Sequence, residues 1–410
     1  MKLIFYISCF FLFFINGLNV LSFIGYPKVD EYFIPAPAFF TFLILFIILQ
    51  FRGSVNWKLE FMGVLLLFFI CVFNKFTGRS IALNALLPSL LMPILVSVIL
   101  SNFQRIKLNY KLLWNLIISF YIINSMIAIF EAITHIVLFP ELGFETGFNE
   151  ESSGFRSYSL YGHPLVNSYI TCTLMNVILL SSRYSFLKKY VLWFLGFFAI
   201  LCFNSRFSLV ISLACFCFYN LFFLNSTGRI SAKQKIFTYI LFIFVGFAIL
   251  CLFSFGFGDR FLSDGLYDEG SAGNRIRIFV VIGYLYDSGI QNILFGLSED
   301  NLERLLYSVD FLEKMENPWI IFLLRYGFVF LLSLLWFFYQ LFKKQFEPLS
   351  KKFSLFIFIP WILMYSSSNA LAAGELHMVT LFVVVFIYKN YLYHDSKNNS
   401  LLLALNRSNT

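Results

Sequence analysis

Long apolar runs recur along the whole 410-residue chain and restrict what it can fold into. The runs are about 17 to 28 residues long, and a bilayer core about 30 Å thick needs about 20 helical residues to be crossed. Helices satisfy their own backbone hydrogen bonds, whereas open strands would leave these groups unpaired in lipid. The pattern therefore predicts an all-α integral membrane protein. A composition of 60% hydrophobic and 13% charged residues excludes an ordinary soluble domain.

The runs predict about twelve transmembrane helices in a single polytopic membrane domain that covers residues 1–410. Their centres lie near Leu12, Leu43, Leu67, Leu91, Ser125, Thr173, Gly196, Ala214, Ala248, Val329, Ile362 and Val384. The first run follows Lys2 and continues without a small-residue cleavage site. We therefore interpret it as a retained anchor rather than a secretion signal.

The distribution of lysine and arginine predicts which helix ends face the cytoplasm, because these residues are retained on that side. A cytoplasmic N-terminus places most of the 30 basic residues inside and most of the 22 acidic residues outside. An even number of spans then makes the C-terminus cytoplasmic as well. The net charge of +8 is interpreted as a face that binds anionic membrane lipid, and no nucleic-acid partner is expected.

Two predicted outward loops are long, spanning residues 140–163 and 258–317. Loops longer than about 15 residues are usually functional or disordered. Within the second loop, apolar residues recur at intervals of three and four between Asn301 and Glu316, which predicts a short amphipathic helix on the membrane surface or the bundle. We therefore expect the functional residues that are exposed to water to lie in these two loops.

Motifs for nucleotide or metal chemistry are absent from the sequence. No GxxxxGK[ST] pattern and no strand-GxGxxG-helix context occurs, so neither ATP hydrolysis nor dinucleotide binding is predicted. The four histidines are scattered without an HExxH or similar pair, so no metal site is expected. The sequence thus predicts no cofactor.

Several arginines on the predicted outward side lack acidic neighbours. A guanidinium group binds phosphate oxygens in a bidentate manner and keeps its charge, so several together would hold a pyrophosphate. The candidates for this role are Arg156, Arg206, Arg275 and Arg325. Two alternatives stay open. In the first alternative, each arginine is an ordinary surface residue. In the second, Arg325 forms a buried ion pair with Glu131, which is predicted at similar depth in the fifth span.

Short motifs follow one another in order on the outward side. They are Arg156 eight residues before Pro164, Ser205 with Arg206, Gly273 and Arg275 before Ile278 and Phe279, "ILFGLS" at 293–298, and Asn317 ten residues before Gly327. In order, spacing and side of the membrane these motifs resemble the O-antigen polymerase and O-antigen ligase superfamily. Members of that family join glycans carried on undecaprenyl pyrophosphate at the outer face of the bacterial inner membrane. The resemblance implies a GT-C-like bundle with an active site facing the periplasm and a role in lipopolysaccharide biosynthesis.

The chain departs from the family pattern at three places. Leu165 follows the proline where asparagine is frequent, Asn274 is an insertion, and Glu316 stands where a histidine commonly precedes the asparagine. The resemblance to a lipid A-core ligase depends on that histidine. The departure at Glu316 therefore favours a polymerase.

The resemblance implies a metal-independent glycosyltransferase that moves a glycan from undecaprenyl pyrophosphate to a sugar hydroxyl of another lipid-linked repeat unit, with inversion. The arginines would stabilise the negative charge of the departing pyrophosphate. A base must accept the hydroxyl proton; Glu316 is the first candidate and His163 the second. The expected glycan contacts are Asn317, Tyr158 and Tyr161, and a chain-length regulator is a further expected partner.

Other function classes stay open on the sequence. A flippase or other transporter of lipid-linked oligosaccharide suits the many spans and the intramembrane residues Glu131 and Arg325. Against a transporter, no internal repeat is visible. An O-antigen ligase and a non-catalytic assembly partner of the glycan machinery are the remaining alternatives.

Overall fold

The computed structural model describes residues 1–15, 18–25, 28–29, 32–33, 37–51, 58–77, 90–103, 106, 108–139, 155–161, 163–181, 183–223, 239, 246, 281–308, 317–347, 349–366 and 377–396. Some of the predictions made from the sequence lie outside these residues. They are the span centred on Ala248, residues 140–154 and 258–280 of the two loops, residues 309–316, and the site candidates Arg275 and Glu316.

Helices make up nearly all of the described chain. In chain order they are α1 Lys2–Phe10, α2 Leu18–Phe23, α3 Pro37–Phe51, α4 Lys58–Phe76, α5 Met92–Phe103, α6 Tyr110–Thr134, α7 Pro164–Leu180, α8 Phe186–Cys202, α9 Arg206–Phe218, α10 Ile290–Phe295, α11 Glu299–Ser308, α12 Pro318–Phe346, α13 Lys351–Ser366 and α14 His377–Ser396. Wider π-helical turns extend α1 over Phe11–Ile15 and α9 over Tyr219–Phe223. Two short strands, Lys28–Val29 and Tyr32–Phe33, pair antiparallel.

Local sequence sets the ends of several helices. Asn109 begins α6, where its side-chain oxygen accepts the N–H of Leu112 at 3.0 Å. α7 opens on Pro164, whose fixed φ suits a first helical turn. α12 follows Asn317 and has Pro318 in its first turn. These boundaries determine where the chain leaves each helix and enters a loop.

The described helices agree with the membrane class predicted from the sequence. Three of them are long and apolar enough to cross a membrane, namely Lys58–Phe76, Tyr110–Thr134 and Trp319–Phe346. Shorter apolar helices accompany them in the described residues. Every predicted span centre except Ala248 falls in a described helical segment. The number of crossings and the side of each terminus stay predictions.

α7 and α14 form the centre of the bundle. The side chains of α7 are buried without interruption from Val166 to Leu179, and those of α14 from His377 to Lys389. α6, α8, α9 and α13 pack around α7, and α5 and α6 pack against α14. The outer helices expose large apolar side chains such as Phe68, which is 59% exposed, as expected of surfaces that face lipid.

Connecting segments collect at two ends of the bundle. We call one of these the loop end; it carries residues 135–139, 155–161 and 203–205 together with Asn317. We call the other the basic end; it carries the lysines Lys58, Lys188, Lys343, Lys344, Lys351 and Lys352. At the basic end Lys344 pairs with the buried carboxylate of Glu60, which also accepts the hydroxyl of Ser97 at 2.7 Å.

Part of the second long loop packs against the first half of α12. Residues 281–287 are helical, and α10 and α11 follow them. A separate buried cluster joins these segments to α12, formed by Val281, Leu285, Leu297, Leu302 and Leu324. Leu302 of α11 is buried and Leu305 packs against the cluster. The predicted amphipathic helix is therefore confirmed for residues 301–308, and it lies against the bundle.

Candidate active site at the loop end

A buried carboxylate holds the segment 155–161 at the loop end. Glu131, near the end of α6, has no solvent exposure. Its Oε2 accepts the backbone N–H of Tyr158 at 2.8 Å and that of Ser159 at 2.9 Å. Its Oε1 accepts the N–H of Leu138 at 2.9 Å. One side chain thus binds both the segment leaving α6 and the segment approaching α7.

Two buried amides extend this network. The hydroxyl of Ser159 lies 2.8 Å from Oδ1 of Asn124 and 2.9 Å from its carbonyl. On α7, Asn167 donates from Nδ2 to the carbonyl of Tyr158 at 2.5 Å, and its Oδ1 accepts the N–H of Tyr161 at 3.3 Å. Ser159 has a φ of 47°, a left-handed conformation that is uncommon outside glycine. The hydrogen bonds to Glu131 and Asn124 hold it there.

Arg156 enters the site from this anchored segment. Its Nη2 donates to the carbonyl of Asn204 at 3.4 Å, in the turn between α8 and α9. Beside it, the N–H of Ser157 donates to the carbonyl of Cys202 at 3.0 Å, and the Ser157 hydroxyl donates to the carbonyl of Ala128 at 2.7 Å. The segment that carries Arg156 is therefore fixed to both α6 and the α8–α9 turn.

The α8–α9 turn leads directly into Arg206, the first residue of α9. Ser205 begins this helix, and its hydroxyl donates to that of Ser208 at 3.0 Å, which lies 2.9 Å from the hydroxyl of Ser168 on α7. The side chain of Arg206 lies outside the described part of the chain. Its backbone is nevertheless two residues from Asn204, so the structure brings the Arg156 side chain to the turn that carries Arg206.

The three loop-end residues His163, Tyr158 and Tyr161 differ in exposure. The imidazole of His163 is exposed at the start of α7, and the side chain of Tyr158 is half-buried. Tyr161 is only 7% exposed, and its hydroxyl donates to the carbonyl of Leu12 at 2.5 Å. His163 and Tyr158 are accessible for the roles predicted for them. The Tyr161 hydroxyl is engaged within the bundle, and its contact with glycan stays a prediction.

Asn317 lies at the same end, at the start of α12. Its Oδ1 accepts the N–H groups of Trp319 at 3.0 Å and Ile320 at 3.3 Å, so this oxygen caps the helix. The indole N–H of Trp319 donates to the hydroxyl of Ser366 at the end of α13, at 2.8 Å. Asn317 therefore has a structural role, and the predicted contact with glycan stays a prediction.

Aromatic side chains connect the start of α12 to the start of α7. Tyr365, beside Ser366 on α13, has its ring 5.6 Å from that of Tyr169 on α7. It also lies 5.0 Å from the imidazole of His377, which begins α14. The starts of α7, α9 and α12 thus share one end of the bundle.

Arg325 lies farther along α12, two residues before an interruption of the helix at Gly327. Gly327 has φ 77° and ψ 174°, a conformation that glycine adopts easily and other residues do not. At this interruption the N–H of Leu297 donates to the carbonyl of Leu324 at 2.7 Å. Gly296 lies against the same place, where a Cβ atom would come 2.5 Å from the carbonyl oxygen of Arg325.

The structure brings the Arg156 side chain to the turn that carries Arg206, and it places Arg325 on α12, which packs against α10. The alternative pair between Glu131 and Arg325 is wrong. Both residues are described, and the Glu131 oxygens accept three backbone N–H groups instead.

Sequence reasoning missed the residues that hold the site together. Glu131 was considered as a partner for Arg325 or as part of a transport path, and Asn124 not at all, although both are polar residues inside an apolar run. His377 was treated only as one of four scattered histidines, yet it is buried at the loop end. Among the residues that the structure describes, no group of three or more His, Cys, Asp or Glu side chains is placed to hold a metal ion.

Comparison with known proteins does not supply an identity. No protein-family model matches the chain. No curated protein is significantly similar to it.

Proposed function

We propose that the protein is an O-antigen or surface-polysaccharide polymerase of the bacterial inner membrane. Its donor would be a glycan on undecaprenyl pyrophosphate, and its acceptor the sugar hydroxyl of another lipid-linked repeat unit. One observation supports this most directly. The guanidinium of Arg156 lies 3.4 Å from the carbonyl of Asn204, in the turn that opens into Arg206. The side chain of one motif arginine therefore reaches the turn that precedes the other at one end of a helical bundle.

Charge at the two ends supports an orientation for this reaction. The basic end carries lysines at the termini of several helices and would face the cytoplasm, where lysine and arginine are retained. The loop end, with Arg156 and Asn317, would then face the periplasm. No ATP is required on that side, because the pyrophosphate linkage of the donor already carries the activation.

The chemistry needs stabilisation of a leaving group and acceptance of a proton. The bond between the anomeric carbon and the pyrophosphate oxygen breaks, and its electron pair leaves with undecaprenyl pyrophosphate. The acceptor oxygen forms the new glycosidic bond on the opposite face, with inversion. Arg156, Arg206, Arg275 and Arg325 would stabilise the charge that develops on the pyrophosphate, without a metal ion.

The acceptor hydroxyl must also lose its proton. His163 is exposed at the loop end, seven residues after Arg156, and is placed to take part. Glu316 directly precedes Asn317, which caps α12 at the same end. We propose Glu316 as the base and His163 as the second candidate.

The interruption of α12 favours a transporter as a second candidate. Transporters often bind substrate at discontinuous helices inside the membrane. α12 is interrupted at Gly327, and Arg325 lies two residues away. A flippase for lipid-linked oligosaccharide would use this region rather than the turn that carries Arg206.

Alanine substitution of Arg156 and of Arg206 distinguishes these functions. For a polymerase, loss of one donor to the developing charge lowers the rate by about 10² to 10³. Surface polysaccharide should then shorten to single repeat units on a gel that resolves chain length. Arg304 is a matched control, because it is an exposed arginine of α11 in the second loop. Arg304→Ala should keep the wild-type chain-length distribution.

Other results would identify the alternatives. Loss of all surface repeats, with lipid-linked units retained inside the cell, would indicate a flippase. Long glycan that accumulates on undecaprenyl pyrophosphate without reaching its final acceptor would indicate a ligase. Normal chain lengths in both arginine variants would contradict the catalytic proposal and favour a non-catalytic assembly partner.

A further inference from the structure

Glu131 occupies a position that is unfavourable for a carboxylate. It lies three residues before the end of α6, where the carbonyl groups of the helix terminus carry partial negative charge. It is completely buried, in a helix long and apolar enough to cross a membrane. An acid at this position does not stabilise α6 by itself. Its presence is therefore explained by the groups that it contacts.

Its hydrogen-bond partners within the described residues are backbone amides. Leu138, Tyr158 and Ser159 each donate an N–H to the carboxylate at 2.8–2.9 Å. Hydrogen bonds to an ionised acceptor are stronger than those between neutral groups. Among the described residues the carboxylate therefore binds backbone groups rather than a guanidinium. It holds the segment that carries Arg156.

Two of the three amides belong to the segment that carries Arg156. Tyr158 and Ser159 follow it by two and three residues, and consecutive Cα atoms are about 3.8 Å apart. The Ser157 hydroxyl adds a bond to the carbonyl of Ala128, which lies one turn before Glu131 on α6. These bonds therefore fix the backbone from which the Arg156 side chain extends to the α8–α9 turn.

We propose that Glu131 is a positioning residue for the transfer reaction. By binding the amides of Tyr158 and Ser159, it holds the guanidinium of Arg156 at the α8–α9 turn, where the donor pyrophosphate would bind. This role rests on the proposed polymerase function. The anchoring of residues 155–161 by Glu131 is measurable without that function.

Hydrogen exchange of the purified protein in detergent tests the anchor. Glu131→Gln keeps the size of the side chain but replaces one acceptor oxygen with an NH₂ group that faces N–H donors. Exchange in a peptide covering residues 155–161 should accelerate at least about tenfold, because a bond to a charged acceptor is lost or weakened. Glu131→Asp keeps the charge and should restore part of the protection. Glu347→Gln makes the same change at an exposed glutamate at the end of α12 and should leave this peptide unchanged.

A double-mutant cycle tests the action through Arg156. With a synthetic undecaprenyl-pyrophosphate repeat unit as substrate, Glu131→Gln should lower kcat about tenfold or more in the wild-type background. Arg156→Lys retains charge and residual activity but loses the bidentate fork. If Glu131 acts through Arg156, adding Glu131→Gln to the Arg156→Lys protein should lower kcat little further. A general structural defect would lower kcat by the same factor in both.

The results separate failure of the anchor from failure of the function. Unchanged exchange in Glu131→Gln would overturn the anchor, whatever the activity. Accelerated exchange with equal kcat losses in both backgrounds would overturn positioning through Arg156. Accelerated exchange in a protein whose wild-type form transfers no glycan would refute the polymerase and, with it, a positioning role in transfer. Accelerated exchange with a non-additive kcat loss is the result we expect.

Discussion

Replacing Gly327 with alanine tests whether α12 is interrupted as the structure shows. With φ 77° and ψ 174°, Gly327 occupies a region of backbone conformation that is essentially restricted to glycine. An alanine forced into it costs about 1–3 kcal/mol of folding free energy. Its Cβ would also lie 2.3 Å from the carbonyl oxygen of Leu294 and 2.4 Å from the nitrogen of Phe295.

These neighbours are backbone atoms of α10 and cannot rotate away. Such overpacking costs about a further 1–3 kcal/mol. The two costs add up to about 2–6 kcal/mol. The free energy of unfolding of a typical domain is only about 5–15 kcal/mol, so this is a large share of it. We expect Gly327→Ala to lower the free energy of unfolding by that amount, or to prevent α10 from packing on α12.

Reversible unfolding in mixed micelles measures this change. Gly283 provides a matched control, because it lies in the helical segment 281–287, and a Cβ added there meets no atom within 4 Å. Gly283→Ala should be neutral or stabilise the protein by up to about 1 kcal/mol, through higher helix propensity. If Gly327→Ala unfolds within about 0.5 kcal/mol of the wild type, α12 is continuous and its close contact with α10 does not exist.

Two further substitutions test individual interactions. Lys344→Ala removes the cation that pairs with the buried Glu60 carboxylate, so the free energy of unfolding should fall by about 3–5 kcal/mol. Adding Glu60→Gln should recover much of this loss, and no recovery would argue against the pair. Asn317→Ala removes the oxygen that caps α12 and should cost about 1 kcal/mol in the same unfolding assay. A loss of glycan transfer without that cost would instead indicate contact between Asn317 and substrate.

Hydropathy predicted the class of the fold because it depends on each residue and its near neighbours. The long apolar helices, the described helical segments at the predicted span centres, and the amphipathic pattern of α11 all follow from such local patterns. The same patterns say little about how the helices pack. That α7 and α14 form the centre of the bundle follows from the structure alone.

The candidate site was predicted in part. Arg156 and Arg206 were grouped by charge and motif, and the structure brings the Arg156 side chain to the turn that carries Arg206. The role of Glu131 was not predictable, because an acid inside an apolar run suggests a cationic partner. Its actual partners are backbone amides, which every residue except proline carries.

The interruption of α12 was likewise indicated by the sequence only in part and explained by the structure. Sequence spacing singled out Gly327, but glycines in apolar helices also serve ordinary packing. The structure explains why Gly327 has no side chain: its φ is positive, and a Cβ atom there would collide with the backbone of Leu294 and Phe295 in α10. The amino-acid order thus specified the membrane class, the helices and the charged residues available for chemistry. Which of those residues meet was decided by packing, because it depends on distances between segments remote in the chain.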